Sequence, residues 1–252
     1  QKIPITEDFK TIYTLKHAPA MEKQVYLEVK SGKIFVTDNN KNRVQVEFVR
    51  YKDEGDTYNF GAVEDDLGEV AEVYSYKNNV IKTSFFDIQV DFSKLVNFKI
   101  VWNNKLKNRL WQVRFTLKKA ITETYSEDMN TIIKREFDPN YDIRKNLPKT
   151  KGIEVATNFA PMQRYVGAQG FGIITQGLTE YEVNNKSLLV TLLRSTGIIS
   201  NPHNPSRSTP AGPPIEVTEA QQLGENIAEF SVGFFDADNY KEFIEDIFPK
   251  MS

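Results

Sequence analysis

The 252-residue chain is predicted to be an all-β protein of the sandwich class. Two observations predict this class. Apolar and polar residues alternate with a period of two along several segments, which is the pattern of a strand with one buried face. Short clusters of Asn, Asp, Ser and Gly separate these segments and predict tight turns. Many strands joined by short turns are typical of a β-sandwich.

Four strands are predicted in the first half of the chain. Their apolar faces are Val25, Leu27 and Val29; Val44, Val46 and Phe48; Ile88, Val90 and Phe92; and Trp111, Val113, Phe115 and Leu117. We expect Trp102 and Trp111 in the sandwich core or at an interface between domains. The alternative is that at least one of them lies on a sugar-binding surface, because aromatic faces stack on apolar sugar faces. Turns are predicted at Ser31-Gly32, Asp38-Asn39-Asn40, Asn78-Asn79, Asn103-Asn104 and Asn184-Asn185.

The second half continues the pattern and ends in a helix. One strand ends at Thr175, a second contains Glu180 to Val183, and a third runs from Ser187 to Arg194. Near the C-terminus, Asp238 can cap a helix because apolar residues then recur at helical spacing. These residues are Tyr240, Phe243, Ile244 and Ile247, and Pro249 ends the segment. The prediction is therefore one β-sandwich domain over residues 1–252 with one short C-terminal helix.

Composition excludes several classes of function. A net charge of −2 gives no reason to expect nucleic acid or an anionic membrane as partner. The sequence has no cysteine, which excludes disulfides, thiolate metal sites and a cysteine nucleophile. It also fits a reducing compartment, so we expect a cytoplasmic location. No apolar run approaches the roughly 20 residues of a membrane span.

Histidine is scarce, and this limits the chemistry. His17 and His203 are the only two, both expected at the surface. No zinc motif, nucleophile elbow or glycine-rich phosphate loop occurs. The residues therefore argue against a zinc site, Ser-His-Asp chemistry and a phosphate-binding loop; that the chain holds no catalytic residue and no metal ligand is what the family resemblance given below implies.

Residues 53–60 form the first candidate binding motif. Asp53-Glu54-Gly55-Asp56 places three carboxylates around a glycine, which permits a bend that turns Asp53 and Asp56 towards one point. Carboxylates accept hydrogen bonds from vicinal sugar hydroxyls, and Tyr58 adds a flat apolar face. The alternative is an acidic turn capped by its own backbone.

The second and third candidates lie on neighbouring strands. Glu180 and Glu182 face the same side of their strand, so both should be exposed if Tyr181 faces the core. Binding of sugar or of another domain by Glu180 is preferred over acid–base catalysis by the pair. Arg194 either marks the arrival of a buried strand at the surface or contacts a carboxylate, on a substrate or across a domain interface.

The most irregular segment is residues 195–222, which holds five of the eleven prolines. It is either a surface connection stiffened by proline, or a loop that packs on a neighbouring domain or borders a sugar pocket.

These motifs, taken in order, resemble the C-terminal β-sandwich of glycoside hydrolase family 38. That family contains α-mannosidases and 2-O-mannosylglycerate hydrolases. The likeness runs from about Gln24 to about Phe248. It rests on Asp53 to Phe60, Pro161-Met162-Gln163 with Tyr165-Val166, Gly177-Leu178, Glu180-Tyr181-Glu182, Leu192 to Ser195, Ala211-Gly212-Pro213, Gln221 and Gly224.

The resemblance implies a galactose-mutarotase-like β-supersandwich that belongs to a larger retaining glycosidase. In the family, an N-terminal barrel carries the aspartate nucleophile and a zinc ion, and the sandwich packs on it. We therefore expect a non-catalytic domain cut from a longer enzyme, with Gln1 and Ser252 as cut ends and zinc only in the catalytic domain. Its partners would be that domain and a mannoside or mannosylglycerate-like sugar. A homo-oligomer is also compatible with the resemblance, because the surface that the barrel normally covers could associate with a second copy.

The same resemblance implies which residues complete the rim of the sugar site: Asp53, Asp56, Tyr58, Glu180 and Arg194. Two other functions are alternatives to a domain of a glycosidase. A free-standing carbohydrate-binding module should bind mannose or mannosylglycerate saturably. A mutarotase-like enzyme is suggested only by the fold, and its usual histidine and glutamate pair has no good counterpart here.

Overall fold

The computed structural model describes residues 25–92, 95–129, 131–147, 156–207 and 209–235. The predicted helix after Asp238 and His17 lie outside these residues. The strands of the first half are β1 (Val25–Lys30), β2 (Lys33–Asp38), β3 (Arg43–Lys52), β4 (Glu69–Val70), β5 (Val73–Lys77), β6 (Val80–Thr83), β7 (Asp87–Phe92), β8 (Val96–Asn104) and β9 (Arg109–Thr116).

Eight further strands and one 3₁₀ turn complete the described part of the chain. They are β10 (Glu123–Asp128), β11 (Thr131–Glu136), β12 (Phe159–Pro161), β13 (Tyr165–Ala168), β14 (Phe171–Thr175), β15 (Glu180–Asn184), β16 (Ser187–Ser195), the 3₁₀ turn η1 (Thr218–Gln221) and β17 (Gly224–Phe234).

The strands form two antiparallel sheets. Sheet 1 has the order β1-β2-β3-β9-β16-β15-β12, with β4 paired to β3. Sheet 2 has the order β11-β10-β13-β14-β17-β8-β7-β6-β5. The predicted all-β sandwich is confirmed.

Aromatic side chains from both sheets fill the space between them. Phe98 and Phe230 of sheet 2 stack with ring centroids 5.0 Å apart. Phe115 of sheet 1 lies edge-on to Phe230 at 6.0 Å. Trp102 and Trp111 are buried in the same core, with centroids 6.2 Å apart. The core location predicted for both tryptophans is therefore confirmed, and large aromatic groups join the two layers.

The turn predictions are confirmed at the tight hairpins and wrong at one position. Ser31-Gly32 and Asn78-Asn79 have positive φ at both residues, as two-residue hairpin turns of right-twisting strands require. Asn103-Asn104 instead end β8, and the chain turns after them. The Asn104 side chain explains the difference, because its Oδ1 accepts the Leu106 N–H at 3.0 Å and its amide donates to the Gln221 carbonyl.

Sheet 1 is covered on its outer face as well, by a second apolar layer. Val49 and Tyr51 point away from Val46 and Phe48, yet all four are buried. The second layer consists of Val49, Tyr51, Phe60, Ala62, Leu110, Ile143 and Leu189. Segments that follow β3 and β11 therefore lie over the outer face, and the polar side chains beneath them are removed from water.

Candidate functional site

Two connections meet at the edge of this outer face. We call residues 53–60 the acidic turn and residues 195–222 the proline loop. The Thr57 N–H donates to the Ile198 carbonyl at 3.1 Å, and the Ser206 hydroxyl donates to the Phe60 carbonyl at 2.7 Å. The proline loop thus packs on a neighbouring turn of its own chain.

Asp53 closes the acidic turn from inside. Its Oδ1 accepts the N–H groups of Gly55 and Gly61, each at 2.9 Å, and its Oδ2 accepts Nε of Arg194 at 2.7 Å. A Cβ on Gly55 would lie 2.1 Å from the Asn59 carbonyl oxygen, so the turn needs glycine for its close backbone approach. Asp53 is buried, and both of its oxygens have partners.

Asp56 is the second closed carboxylate. Its Oδ1 accepts the N–H groups of Tyr58 and Asn59 at 3.0 Å each. Its Oδ2 accepts the Asn201 N–H at 2.8 Å and Nη2 of Arg207 at 2.5 Å. Burial raises the pKa of Asp56, but these hydrogen bonds together bring the pKa below its usual value. The carboxylate therefore stays charged and joins the acidic turn to the proline loop.

Arg194 reaches this network through a β-bulge. Strict alternation from Val190 and Leu192 would place Arg194 on the inner face of sheet 1. The pairing with β9 shifts register between Thr191 and Leu193, and this turns Arg194 to the outer face. Besides Asp53, its guanidinium donates to the carbonyls of Asp56 and Asn59 at 2.5 Å each.

Arg207 is a member of the network that the sequence analysis missed. It is buried, and it donates to Asp56 Oδ2, to Asn59 Oδ1 and to the Thr209 carbonyl. Two arginines therefore hold the acidic turn, one from each side. Nothing in the residues around Arg207 distinguishes it from any other polar residue of a proline-rich loop, so the sequence carried no signal for it.

Tyr58 is the predicted binding residue that faces solvent most openly. It is 56% exposed, and its ring lies beside Gly212 and 5.8 Å from Cζ of Arg207. A Cβ on Gly212 would lie 3.2 Å from the tyrosine hydroxyl. The structure thus offers a flat aromatic face at the edge of the sandwich.

A cleft of about 600 Å³ opens beside the acidic turn, and we call it the edge cleft. Its lining includes Glu54, Asn108, Asn201, His203 and Gln221. His203 is exposed, as predicted. The side chains offer hydrogen-bond donors and acceptors to a polar ligand or to another domain.

Glu180 lies on the same outer face, close to Arg194. It is partly buried, and its Oε1 accepts the Thr191 hydroxyl at 2.8 Å. Burial raises the pKa of Glu180, while the Thr191 hydrogen bond and the charge of Arg194 oppose this effect. The structure therefore groups Asp53, Asp56, Glu180 and Arg194, with Tyr58 at the exposed end. Direct contact of these residues with sugar stays a prediction.

Glu182 is not exposed, and the expectation of two exposed glutamates is wrong. Its Oε1 accepts Nη1 of Arg144 at 2.7 Å and the amide of Asn158 at 3.0 Å. Its Oε2 accepts Nη2 of Arg144 at 3.2 Å and the amide of Gln112 at 3.1 Å. Tyr181 does face the core, but the second layer covers the opposite side as well, so both faces of this strand are buried.

The described residues do not form a site that fits a metal ion. Across these ranges, no three His, Asp or Glu side chains lie together as metal ligands. In the same part of the chain, no helix has the length and hydrophobicity to cross a bilayer.

Comparison with known proteins gives no match by sequence and clear matches by structure. No family model matches, and no curated protein is similar in sequence. An α-mannosidase from Enterococcus faecalis V583 matches with a TM-score of 0.65 and 17% identity over 90% of this chain and 30% of its own. A protein of glycosyl hydrolase family 38 from Enterococcus faecalis matches with a TM-score of 0.63 and 15% identity over 88% of this chain and 31% of its own.

These likenesses show that the fold is shared. The chain spans about a third of the length of the structures that it matches. The fold implied by the sequence resemblance is therefore confirmed.

Proposed function

We propose that this chain is a non-catalytic β-sandwich domain of a retaining glycoside hydrolase of the α-mannosidase type. The observation that carries the proposal is the fold shared over 90% of this chain with about 30% of an α-mannosidase. The order of the family motifs in the sequence, from Asp53 to Gly224, supports the same conclusion. Zinc, the nucleophile and the acid would then belong to a separate N-terminal domain, on which the sandwich packs.

The part of this chain that would complete the rim of the sugar site is the acidic turn with the proline loop. Asp53, Asp56 and Arg194 have their polar atoms engaged within the chain, so their proposed role is to fix the shape of the rim. Tyr58 is the group available for direct contact, because its ring is exposed and an aromatic face can stack on the apolar face of a mannoside. Glu180 would contribute indirectly, because its charge interacts with that of Arg194.

The lack of cysteine in the sequence supports a cytoplasmic location as part of the same proposal.

The first test is to sequence the genomic DNA immediately upstream of the Gln1 codon. We expect an open reading frame long enough for a catalytic domain, with a His-x-Asp pair and a later candidate aspartate nucleophile. A stop codon and a ribosome-binding site directly upstream would overturn the proposal, and a free-standing sugar-binding module would then be the better hypothesis.

The second test is enzymatic. The chain alone, supplied with zinc, should not hydrolyse an aryl α-mannoside above the buffer rate. Turnover well above that control would refute the non-catalytic assignment.

The third test addresses the rim directly, in the full gene product. Tyr58→Ala should raise KM for the mannoside about twofold to tenfold, because the loss of one aromatic contact is worth about 0.5–1.5 kcal/mol. Tyr74→Ala is the matched control, since Tyr74 is 64% exposed but lies on β5 of the other sheet. Equal KM values for the two variants would remove Tyr58 from the rim.

A further inference from the structure

A second cleft lies on the outer face of sheet 1, away from Tyr58 and the edge cleft. Its volume is about 330 Å³, at the lower end of the range of about 300–1,000 Å³ for small-molecule sites. We call it the sheet cleft. Tyr51 and Leu189 supply its apolar lining, and Arg114, Asp142, Asn185 and Ser187 supply polar groups.

The ionic groups of the sheet cleft are largely compensated by opposite charges. Arg144 is paired with the fully buried Glu182 at 2.7 Å. Arg114 lies 3.5 Å from Glu47 and also donates to the Tyr51 hydroxyl at 3.1 Å. Asp142 accepts the Arg144 N–H at 3.0 Å. At the arginines a bound anion would have to compete with carboxylates already in place. The remaining charges of the lining, Lys186 and Asp66, have opposite signs, so the cleft has no excess positive charge for an anion.

Hydrogen-bonding capacity nevertheless remains at its mouth. Asn185 and Lys186 form the exposed turn between β15 and β16, and within the described residues neither side chain has a hydrogen-bond partner. The Tyr51 hydroxyl accepts from Arg114 and, in the same part of the chain, has no acceptor for its own hydrogen. Ser187 Oγ lies 3.5 Å from the Thr116 hydroxyl, a weak contact that a ligand could replace.

We propose that the sheet cleft binds a neutral polyhydroxylated ligand of one or two sugar rings. The lining offers both donors and acceptors, from the Asn185 amide and the hydroxyl groups of Tyr51 and Ser187, and hydroxyl groups of a sugar need both. Leu67 also lines the cleft and is 81% exposed, so it gives an apolar surface for the C–H face of a ring above the buried Tyr51 and Leu189. The balanced charges disfavour an anion. The inference goes beyond the proposed function, because it concerns a site within this chain and involves neither Tyr58 nor a catalytic domain.

The test is a titration of the ¹⁵N-labelled chain, followed by NMR. The ligands are methyl α-mannoside, mannobiose and cellobiose, with inorganic phosphate as the anionic comparison. We expect saturable shifts at millimolar concentration for at least one sugar, centred on the backbone amides of residues 184–187. Flat titrations for all three sugars, saturation by phosphate alone, or shifts centred on the acidic turn would each overturn the proposal.

A matched pair of variants separates binding from folding. Asn185 has φ of 51°, so Asn185→Gly removes the amide side chain while keeping a residue that tolerates this backbone. Asn78→Gly makes the same change at φ of 52° in a hairpin of the other sheet. Asn185→Gly should weaken sugar binding about threefold to tenfold, the value of one hydrogen bond, and Asn78→Gly should not.

Tyr58→Ala should also leave the titration unchanged. If Tyr58→Ala weakened the binding and Asn185→Gly did not, the sugar would lie at the rim and the sheet cleft would be excluded. A result against sugar binding in the sheet cleft therefore does not contradict the proposed function, and a result against the proposed function does not contradict sugar binding in the sheet cleft.

Discussion

Removal of the Glu182 carboxylate is expected to destabilise the outer layer of sheet 1 strongly. Glu182 is fully buried, and it accepts four hydrogen bonds from Arg144, Gln112 and Asn158. In Glu182→Ala the Arg144 guanidinium would stay buried and keep only the longer contact with Asp142, at 3.4 Å, as counter-charge. The amides of Gln112 and Asn158 would lose an acceptor as well.

The magnitude follows from the geometry of this cluster. The side chain of Arg144 is only 4% exposed, so water cannot replace the lost carboxylate without opening the structure. Removal of one partner of a buried ion pair costs about 3–5 kcal/mol of the free energy of unfolding. For a chain of this size that corresponds to a fall in Tm of roughly 10 °C.

The assay is equilibrium unfolding in guanidinium chloride, followed by tryptophan fluorescence. Trp102 and Trp111 both lie in the core between the sheets, so they report unfolding of the whole sandwich. The companion variant is Arg144→Met with Glu182→Leu, which replaces both charges by apolar groups of similar size. It should recover the part of the loss that comes from the unpaired charge, because a buried ion pair can often be replaced by hydrophobic residues at little cost. The hydrogen bonds from Gln112 and Asn158 to Glu182 stay lost in both variants.

Two results would refute this reasoning. A loss below about 1 kcal/mol in Glu182→Ala would mean that water reaches Arg144, as at an exposed pair. A double variant as unstable as the sum of its two single variants would mean that the two charges do not depend on each other.

Three further predictions concern stability. Burial raises the pKa of Glu180, so the favourable contribution of the protonated carboxyl to the free energy of unfolding is present below about pH 4.5 and is lost as pH rises. Unfolding measured at several pH values should therefore show that the stability of Glu180→Gln increases relative to the wild type above that pH. The pKa of Asp56 is lowered, so Asp56→Asn should be less stable at neutral pH by about 3–5 kcal/mol, because Arg207 loses its partner. That gap should close as pH falls below 3.8, and a constant gap would contradict the ion pair. Phe115→Ala in the core should cost about 3–5 kcal/mol in the same unfolding assay, whereas the exposed Tyr74→Ala should change stability by less than about 0.5 kcal/mol.

The sheets were predictable from sequence because their inner faces follow simple alternation. Val44, Val46 and Phe48 point to the core as expected, and so do Val113 and Phe115. The pattern works because one buried face selects every second residue. It could not reveal the second layer, because polar residues on an outer face look alike whether or not another segment covers them.

The candidate site shows the same division. The sequence indicates the acidic turn and Arg194 as separate motifs, but it does not indicate that Arg194 pairs with Asp53. The pairing joins residues more than a hundred positions apart and depends on the β-bulge before Arg194. An insertion of one residue in the ladder leaves no mark in the alternation of an apolar run such as Leu188 to Leu193. Arg144 and Arg207 lie outside any periodic pattern, so only the folded structure identifies them.

The position of β17 determines the order in which the fold can be completed. This strand lies between β14 and β8, so it joins the two halves of sheet 2. A chain that emerges from the ribosome can form β5 to β8 early, but residues 224–234 come later than every other described strand. Until then, each half of the sheet has an unpaired edge that can pair with other chains. Sheet 2 can therefore close only after residues 224–234 have been made, and a chain truncated just before Gly224 would leave both edges unpaired.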